Sequence, residues 1–332
     1  MKHDVGLIVN ALRQISMGVR VSDIAKALNI NDSSVRRWHN NGLEHYERLL
    51  AAEQRLASFT ASLSGDTTEP VVLQEPPKAM EGFGKRIIVI GDMQVKPDIP
   101  LDYCRFIGQY CADKKPDVIV NIGDFADMPS LSTYETKGSK KHSSLRVDDD
   151  FRAVQRGMKE LMTPIKEAMR AGWNPRLVMT LGNHENRIER AIELNPQHLE
   201  GKIHMSDLQY EEWGWEVFPF LEPAIIEGIA FCHYFPSGQM GRPVSTARAL
   251  LNKKHMSCIA GHQQGRDIAY GYRADGKEMT AIINGSSYEH DEDYLNYQTN
   301  NHFRGIYLLN DVQDGSFEEC PVSMKFLRAR YG

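Results

Sequence analysis

Three apolar, β-branched runs in this chain each end in glycine followed at once by a polar side chain. Arg86-Ile87-Ile88-Val89-Ile90 leads into Gly91-Asp92-Met93-Gln94, and Val118-Ile119-Val120-Asn121-Ile122 into Gly123-Asp124-Phe125-Ala126-Asp127. Leu177-Val178-Met179-Thr180-Leu181 leads into Gly182-Asn183-His184-Glu185. Short continuous apolar runs bounded by turn residues read as buried strands. Between them, about Leu101 to Ala112 and about Asp149 to Arg170 read as helices, the second long and amphipathic. Further β segments follow around Ala224–Ile226, Ile229–His233, Cys258–Ala260, Ile268–Tyr272 and Thr280–Ile283. Strand–helix alternation followed by a β-rich half predicts an α/β fold with layered sheets flanked by helices.

The polar residues fall at strand ends, where open α/β folds place their chemistry. Two later strands add Cys232-His233-Tyr234 and Gly261-His262-Gln263-Gln264. Each glycine lets the backbone turn sharply off its strand, so that the next side chain points into a common crevice. Carboxylate, amide and imidazole groups converging there suit hard or borderline divalent metals. A single Gly-Asp after a strand is usually a turn, and a lone histidine is usually a core residue. Five such motifs in fixed order carry far more weight than any one of them.

This order, from Arg86 to Arg330, resembles the calcineurin-like metallophosphoesterase superfamily, whose pattern is D-x-H, G-D-x-x-D, G-N-H-D/E, H and G-H-x-H. The resemblance implies a layered β-sandwich flanked by helices and a site holding two divalent ions. Asp92 and Asp124 would hold metals, Asp124 bridging the pair. Asn183, His233 and His262 would complete the second metal site. His184 would protonate the leaving oxygen, oriented by Asp127. Such a metal pair generates hydroxide and clamps the phosphoryl oxygens for in-line attack. Arg187, one turn beyond His184, would contact phosphate; a surface ion pair with Glu189 or Asp207 is the alternative.

Two positions depart from the pattern. Gln94 replaces the histidine of D-x-H, and Gln264 replaces the second histidine of G-H-x-H. Both belong to one metal site in the family. Decay to a dead scaffold is one reading, but the proton donor, the bridging carboxylate and the other metal site are intact. Glutamine keeps an amide oxygen that ligates hard cations. The expected first site is therefore built from oxygen donors: Asp92, Gln94, Asp124 and Gln264. The cofactors expected are two divalent ions, Mn²⁺ foremost, with Mg²⁺ an alternative at the glutamine-bearing site.

Ahead of this domain, Leu7, Ile8, Ala11, Leu12 and Ile15 recur at helical spacing, and Gly18 stops the helix. Ser22 is the expected cap of a second helix, Asp23 to Leu28, and Asn31 or Asp32 the cap of a third that runs to about Asn40. Three short helices with a tight turn resemble a helix-turn-helix domain of recombinases and phage regulators. Val35 and Trp38 would face its core, and Ser33, Ser34, Arg36, Arg37 and Asn40 a DNA major groove. A three-helix adaptor with solvated arginines is the alternative, because residues 1–50 carry only seven basic against five acidic side chains. Leu43 to Leu56 continues as a charged helix, either a fourth of the module or one that makes a homodimer. Ser, Thr, Gly and Pro dominate from Ser58 to Gly84, which reads as a flexible linker. The expected domains are 1–57, helix-turn-helix; 58–84, linker; and 85–332, catalytic.

The formal charge of −5 excludes nucleic-acid binding by bulk charge, so any such binding needs a local module or patch. Lys140 and Lys141 lie in a polar insert, Ser132 to Arg146, that follows the second motif and could track a nucleic-acid backbone. A second stretch, Tyr288 to Gly305, holds Tyr294, Tyr297, His302 and Arg304, which could stack on bases. No apolar run reaches the ~18–20 residues of a membrane helix, and the start lacks the features of a secretory signal. Five cysteines without C-x-x-C spacing argue against disulfides and a four-cysteine zinc site. These features predict a cytoplasmic protein, in the host cytoplasm if phage-encoded. The layout resembles phosphoesterases of phages. A Ser/Thr protein phosphatase is disfavoured, since Met128-Pro129 stands where that branch has an arginine. The expected function is a metal-dependent phosphodiesterase acting on DNA, a nuclease. A small-molecule phosphatase or cyclic phosphodiesterase, and a degenerate DNA-binding regulator, are the alternatives.

Overall fold

The computed structural model describes residues 5–28, 30–41, 84–133, 145–290 and 302–332. The chain divides into two compact units, Met1–Gln74 and Glu75–Gly332. In the first, α1 (Val5–Ser16), α2 (Val21–Ala27) and α3 (Asp32–Asn41) enclose a core of Ile8, Val9, Ala11, Leu12, Ile24, Ala25, Val35 and Trp38. Gly18, at φ +92°, ends α1 in the left-handed conformation that glycine adopts without strain. Ser22 does not cap α2. The helix starts two residues earlier, with Arg20 at the cap position, and the Arg20 guanidinium bonds Asp23 at 3.2 Å. On α3, Val35 and Trp38 are buried while Ser33, Arg36 and Asn40 are exposed; Ser34 is half-buried. The Arg37 side chain, the 43–56 helix, Lys140 and Lys141, Tyr294 and Tyr297, and the 58–84 linker up to residue 83 lie outside the described residues.

The second unit is a four-layer stack. One sheet has the order β13-β12-β1-β2-β3-β4, from strands β1 (Lys85–Ile90), β2 (Val118–Asn121), β3 (Arg176–Thr180), β4 (Glu216–Phe218), β12 (Gly305–Gln313) and β13 (Ser316–Ser323). The other has the order β10-β11-β9-β6-β5, from β5 (Ala224–Ile226), β6 (Ile229–Cys232), β9 (Ser257–Ala260), β10 (Arg266–Tyr272) and β11 (Glu278–Asn284). A separate pair, β7 (Pro236–Ser237) and β8 (Arg242–Pro243), completes the strands of the described residues. Strands β1 to β4 run parallel, as strands connected through helices must.

Alternate side chains of each strand feed different layers. Ile87, Val89, Val120 and Val178 meet Phe231, Ile259 and Ile282 between the sheets. Ile88, Ile90, Ile119 and Met179 point the other way, onto α4 (Asp102–Lys114) and α5 (Val147–Arg170) through Ile107, Met158 and Leu161. Beyond the second sheet, Leu250 and Leu251 of α8 (Ala247–Lys254) cover Cys232, Cys258 and Ile283. The unit is thus α/β, a β-sandwich flanked by helices. Strand β4, the β12–β13 hairpin and the closing helix α9 (Met324–Tyr331) add to the elements expected from the sequence. The hairpin had a signal, Asp314-Gly315, whose φ values of +52° and +87° are those of the two-residue turns that join antiparallel strands. All five cysteines are free thiols. No helix of the described residues is long and apolar enough to cross a membrane.

Candidate metal centre

The ends of β1, β2, β3, β6 and β9 converge on one buried region. Three of the four expected turn-forming glycines work differently from the simple picture. Only Gly123, at φ +91°, takes the left-handed conformation; Asp124 (φ 51°) and His262 (φ 66°) make their own turns, as do Gln94 (φ 45°) and Gln264 (φ 56°). Non-glycine residues held this way are strained, and such positions gather at functional sites. Gly182 and Gly261 give room for carboxylates, and Gly91 for the Asn284 amide. A Cβ on Gly182 would stand 2.1 Å from Asp124 Oδ1, and one on Gly261 2.6 Å from Asp92 Oδ1.

Main-chain donors fix both aspartates. The His262 N–H donates to Asp92 Oδ1 at 3.0 Å and the His184 N–H to Asp124 Oδ1 at 2.9 Å. Glu185, fully buried, ties the second and third motifs together: Oε2 accepts from Gly182 N (2.8 Å) and Asp124 N (3.0 Å). Its Oε1 accepts from Ala126 N (2.8 Å) and the Tyr210 hydroxyl (3.2 Å). The sequence reading gave Glu185 no role, although it is the last residue of the third motif.

Asp124, His233 and His262 bring one ligand atom each to within 4.8 Å of one another. His233 Nδ1 lies 3.0 Å from the Ile122 carbonyl, to which it donates; Nε2 faces Asp124 Oδ2 (3.2 Å) and Asn183 Oδ1 (2.9 Å), to which it donates when protonated and beside which it would offer a lone pair to a bound cation. An imidazole tied by one nitrogen to a carbonyl, with the other facing two oxygens, is oriented as a metal ligand is. Asp92 Oδ2 and Gln94 Oε1 are buried with no hydrogen-bond partner, as are both amide atoms of Asn284. Buried oxygens without donors are costly unless a cation takes them. The donor set therefore fits divalent ions. Gln264 Oε1 accepts from the Tyr288 hydroxyl at 2.7 Å, which leaves one of the two lone pairs of the amide oxygen for a cation. Tyr288, stacked on His290 at 4.5 Å and lying under Arg304, was not foreseen as a neighbour.

Charge follows the geometry. Burial, reinforced by Asp124, raises the Asp92 carboxyl to about 7. Burial also acts to raise Asp124, but His184 and His233 outweigh it and hold that carboxyl below the usual carboxylate range. For His233 burial opposes protonation, yet Asp124 prevails and lifts it to about 9. His262, by contrast, is pushed down to about 4 by burial and by His233.

Next to the cluster stands a second group. His184 Nδ1 is 2.8 Å from Asp127 Oδ1, and Lys96 Nζ is 3.5 Å from Asp127 Oδ2. Arg187 Nη1 donates to the main-chain oxygens of Asp127 (2.6 Å) and Met128 (3.3 Å). Its Nη2 lies 3.1 Å from His184 Nε2. The alternative of a surface ion pair with Glu189 or Asp207 is thereby replaced: Arg187 is half-buried against the dyad, and Asp207 caps His204 instead. Burial disfavours the His184 imidazolium, but Asp124 and Asp127 win and raise its pKa. Lys96, absent from the sequence reading, had no motif to mark it.

Residues 85–270 match the model of the calcineurin-like phosphoesterase family. The chain is 34% identical over 105 residues to the Gene 54 protein of Mycobacterium phage L5, and 32% identical over 105 residues to that of Mycobacterium phage D29. Each match covers 32% of this chain and only 38% of the relative. Among solved structures, Yfce, a phosphoesterase from E. coli, aligns over 72% of this chain and 99% of its own, with a TM-score of 0.34 and 10% identity. With the family model spanning more than half its length and the motif residues gathered at one site, the chain belongs to the calcineurin-like phosphoesterase family.

Proposed function

We propose that this protein hydrolyses phosphodiesters, with DNA as its substrate, using divalent ions held by the residues above. The observation that carries the reading is the His184–Asp127 pair, 2.8 Å apart, standing 3.7 Å from the cluster carboxylate through His184 Nε2 and Asp124 Oδ2. Asp124, Asn183, His233 and His262 would hold one ion, and Asp92, Asp124, Gln94 and Gln264 the other, Mn²⁺ or Mg²⁺. Bound there, the ions would supply a nucleophile at neutral pH and neutralise charge on the phosphoryl group. The protein's own residues do the rest. Asp127 orients the imidazole, the neighbouring carboxylates keep it protonated, and Nε2–H gives its proton to the leaving oxygen. Arg187 and Lys96, the cations beside Asp127, face an anionic phosphoester.

For DNA, the support is the exposed Arg36 and Ser33 on α3 and the resemblance of residues 1–57 to a groove-reading module. In this reading residues 58–84 link that module to a catalytic domain of residues 85–332. The free cysteines fit the reducing cytoplasm of a phage host. Hydrolysis of single- and double-stranded DNA and of a small diester, with millimolar Mn²⁺, tests the proposal. Full-length protein is compared with a chain starting at Gly84. The DNA reading requires that the shortened chain lose activity on DNA and keep it on the small diester. Equal loss on both, or no hydrolysis by either protein, would contradict it.

A further inference from the structure

Arg187 faces two ways. Arg187, whose guanidinium touches His184 and Asp127, also lines a cavity of about 190 Å³, set between the Pro129–Leu131 turn and α6 (Arg187–Leu194). Leu131, Ala191 and Leu194 give it an apolar wall, and Ser130 and Arg190 a polar rim. Leu194 is 71% exposed, an unusual position for a large apolar side chain at the end of a helix. Arg190, one turn along from Arg187, makes no ion pair among the described residues, so its charge is open to a ligand.

We infer that this cavity is the leaving-group subsite and receives a nucleoside; the inference rests on the phosphodiesterase reading above. An acid that protonates the leaving oxygen must face the departing group, and the cavity shares Arg187 with that acid. In the reaction the phosphorus–oxygen bond to the leaving nucleoside breaks and its electron pair stays on oxygen. That oxygen takes the His184 proton, while a water oxygen bonds to phosphorus and sheds a proton to solvent. The cavity is smaller than the ~300–1,000 Å³ of pockets that enclose drug-sized ligands, so it suits one base with its sugar rather than a duplex. An apolar wall beside an arginine fits such a group: the base covers Leu131, Ala191 and Leu194, and Arg190 pairs with the next phosphate. A substrate ending in a small alkyl group would leave this wall bare.

The test compares the dinucleotide d(TpT) with thymidine methyl phosphate, in which methanol replaces the leaving nucleoside. With Mn²⁺, the wild type should favour d(TpT) in kcat/KM by roughly tenfold or more, the scale of discrimination by apolar contacts. Ala191→Trp, which fills the cavity, and Leu194→Asp, a change at an exposed position, should each erase most of that preference, lowering kcat/KM for d(TpT) far more than for the methyl ester. Equal use of both substrates by the wild type, or equal loss on both in the two variants, would overturn the inference. A readout without turnover separates it from the functional reading. In Ala191→Cys, d(TpT) should slow maleimide labelling at position 191, read by mass spectrometry, and thymidine methyl phosphate should not. Protection without hydrolysis would refute the phosphodiesterase reading and keep the nucleoside site. Absence of protection alongside hydrolysis would do the reverse.

Discussion

Arg187 Nη2 stands 3.1 Å from His184 Nε2, the nitrogen that must carry a proton for His184 to act as an acid. The guanidinium donates to that nitrogen only when it is bare, and its charge disfavours the imidazolium that Asp124 and Asp127 favour. In the proposed mechanism Arg187 would thus lower the pH at which the acid is lost. Removing the cation raises the His184 pKa further. Arg187→Ala should therefore move the alkaline limb of the kcat/KM profile to higher pH while lowering its maximum. A limb that stays put, or moves to lower pH, would remove Arg187 from that role.

His184→Ala should lower kcat by roughly 10²–10⁴ on substrates with poor leaving groups. An activated nitrophenyl ester should suffer much less, because its leaving group hardly needs a proton. Metal content, measured by elemental analysis, should not change. Equal losses on both kinds of ester would point to damaged metal binding instead.

The two glutamines predict unequal metal affinities. The site of Asp124, Asn183, His233 and His262 would have two imidazoles, whereas the other would have only oxygen donors: Asp92, Asp124, the Gln94 oxygen and the Gln264 oxygen, which also accepts from the Tyr288 hydroxyl. One ion should survive purification and the second should dissociate, so that activity rises on adding millimolar Mn²⁺ or Mg²⁺. Gln94→His with Gln264→His should tighten the weak site in calorimetry and shift it toward borderline metals. Two equally tight ions in the wild type would defeat this expectation.

Glu185→Gln keeps the shape of a side chain that accepts three main-chain N–H bonds but turns an amide NH₂ toward N–H donors. Burial, with Asp124 adding, raises the Glu185 pKa, so part of the loss is offset by removing a confined charge. The net cost should be about 1–3 kcal/mol in urea unfolding, together with weaker metal binding, since Asp124 loses its main-chain anchor. Unaltered stability and affinity would show that the loops hold themselves.

In the N-terminal unit, Arg36→Ala with Arg37→Ala should weaken binding to duplex DNA. The slope of log K against log salt should fall by about 2 if both side chains reach phosphates. Turnover of a small diester should be unaffected. Identical DNA affinity at two salt concentrations would favour the adaptor reading.

The sequence by itself determined the strands and their polar ends, because both depend on local order. β-branched runs that must be buried announce themselves, and a ligand placed just beyond each of them is legible whatever the partner strands are. It also determined which side of α3 is buried, through Val35 and Trp38. Only the tertiary structure decided what these groups do to one another. Nothing local says that Gly182 and Gly261 serve to seat aspartates 58 and 169 residues before them. Nor does anything local say that Glu185 holds the Asp124 turn, or that Arg187 turns inward rather than to Glu189. Gln264 is the clearest case. Its residue type allowed a metal ligand, but how much of its oxygen is left for a cation depends on Tyr288, 24 residues away and fully buried. Hydrogen bonds between distant segments are chosen by packing, since a buried polar atom takes whichever partner the fold leaves within reach.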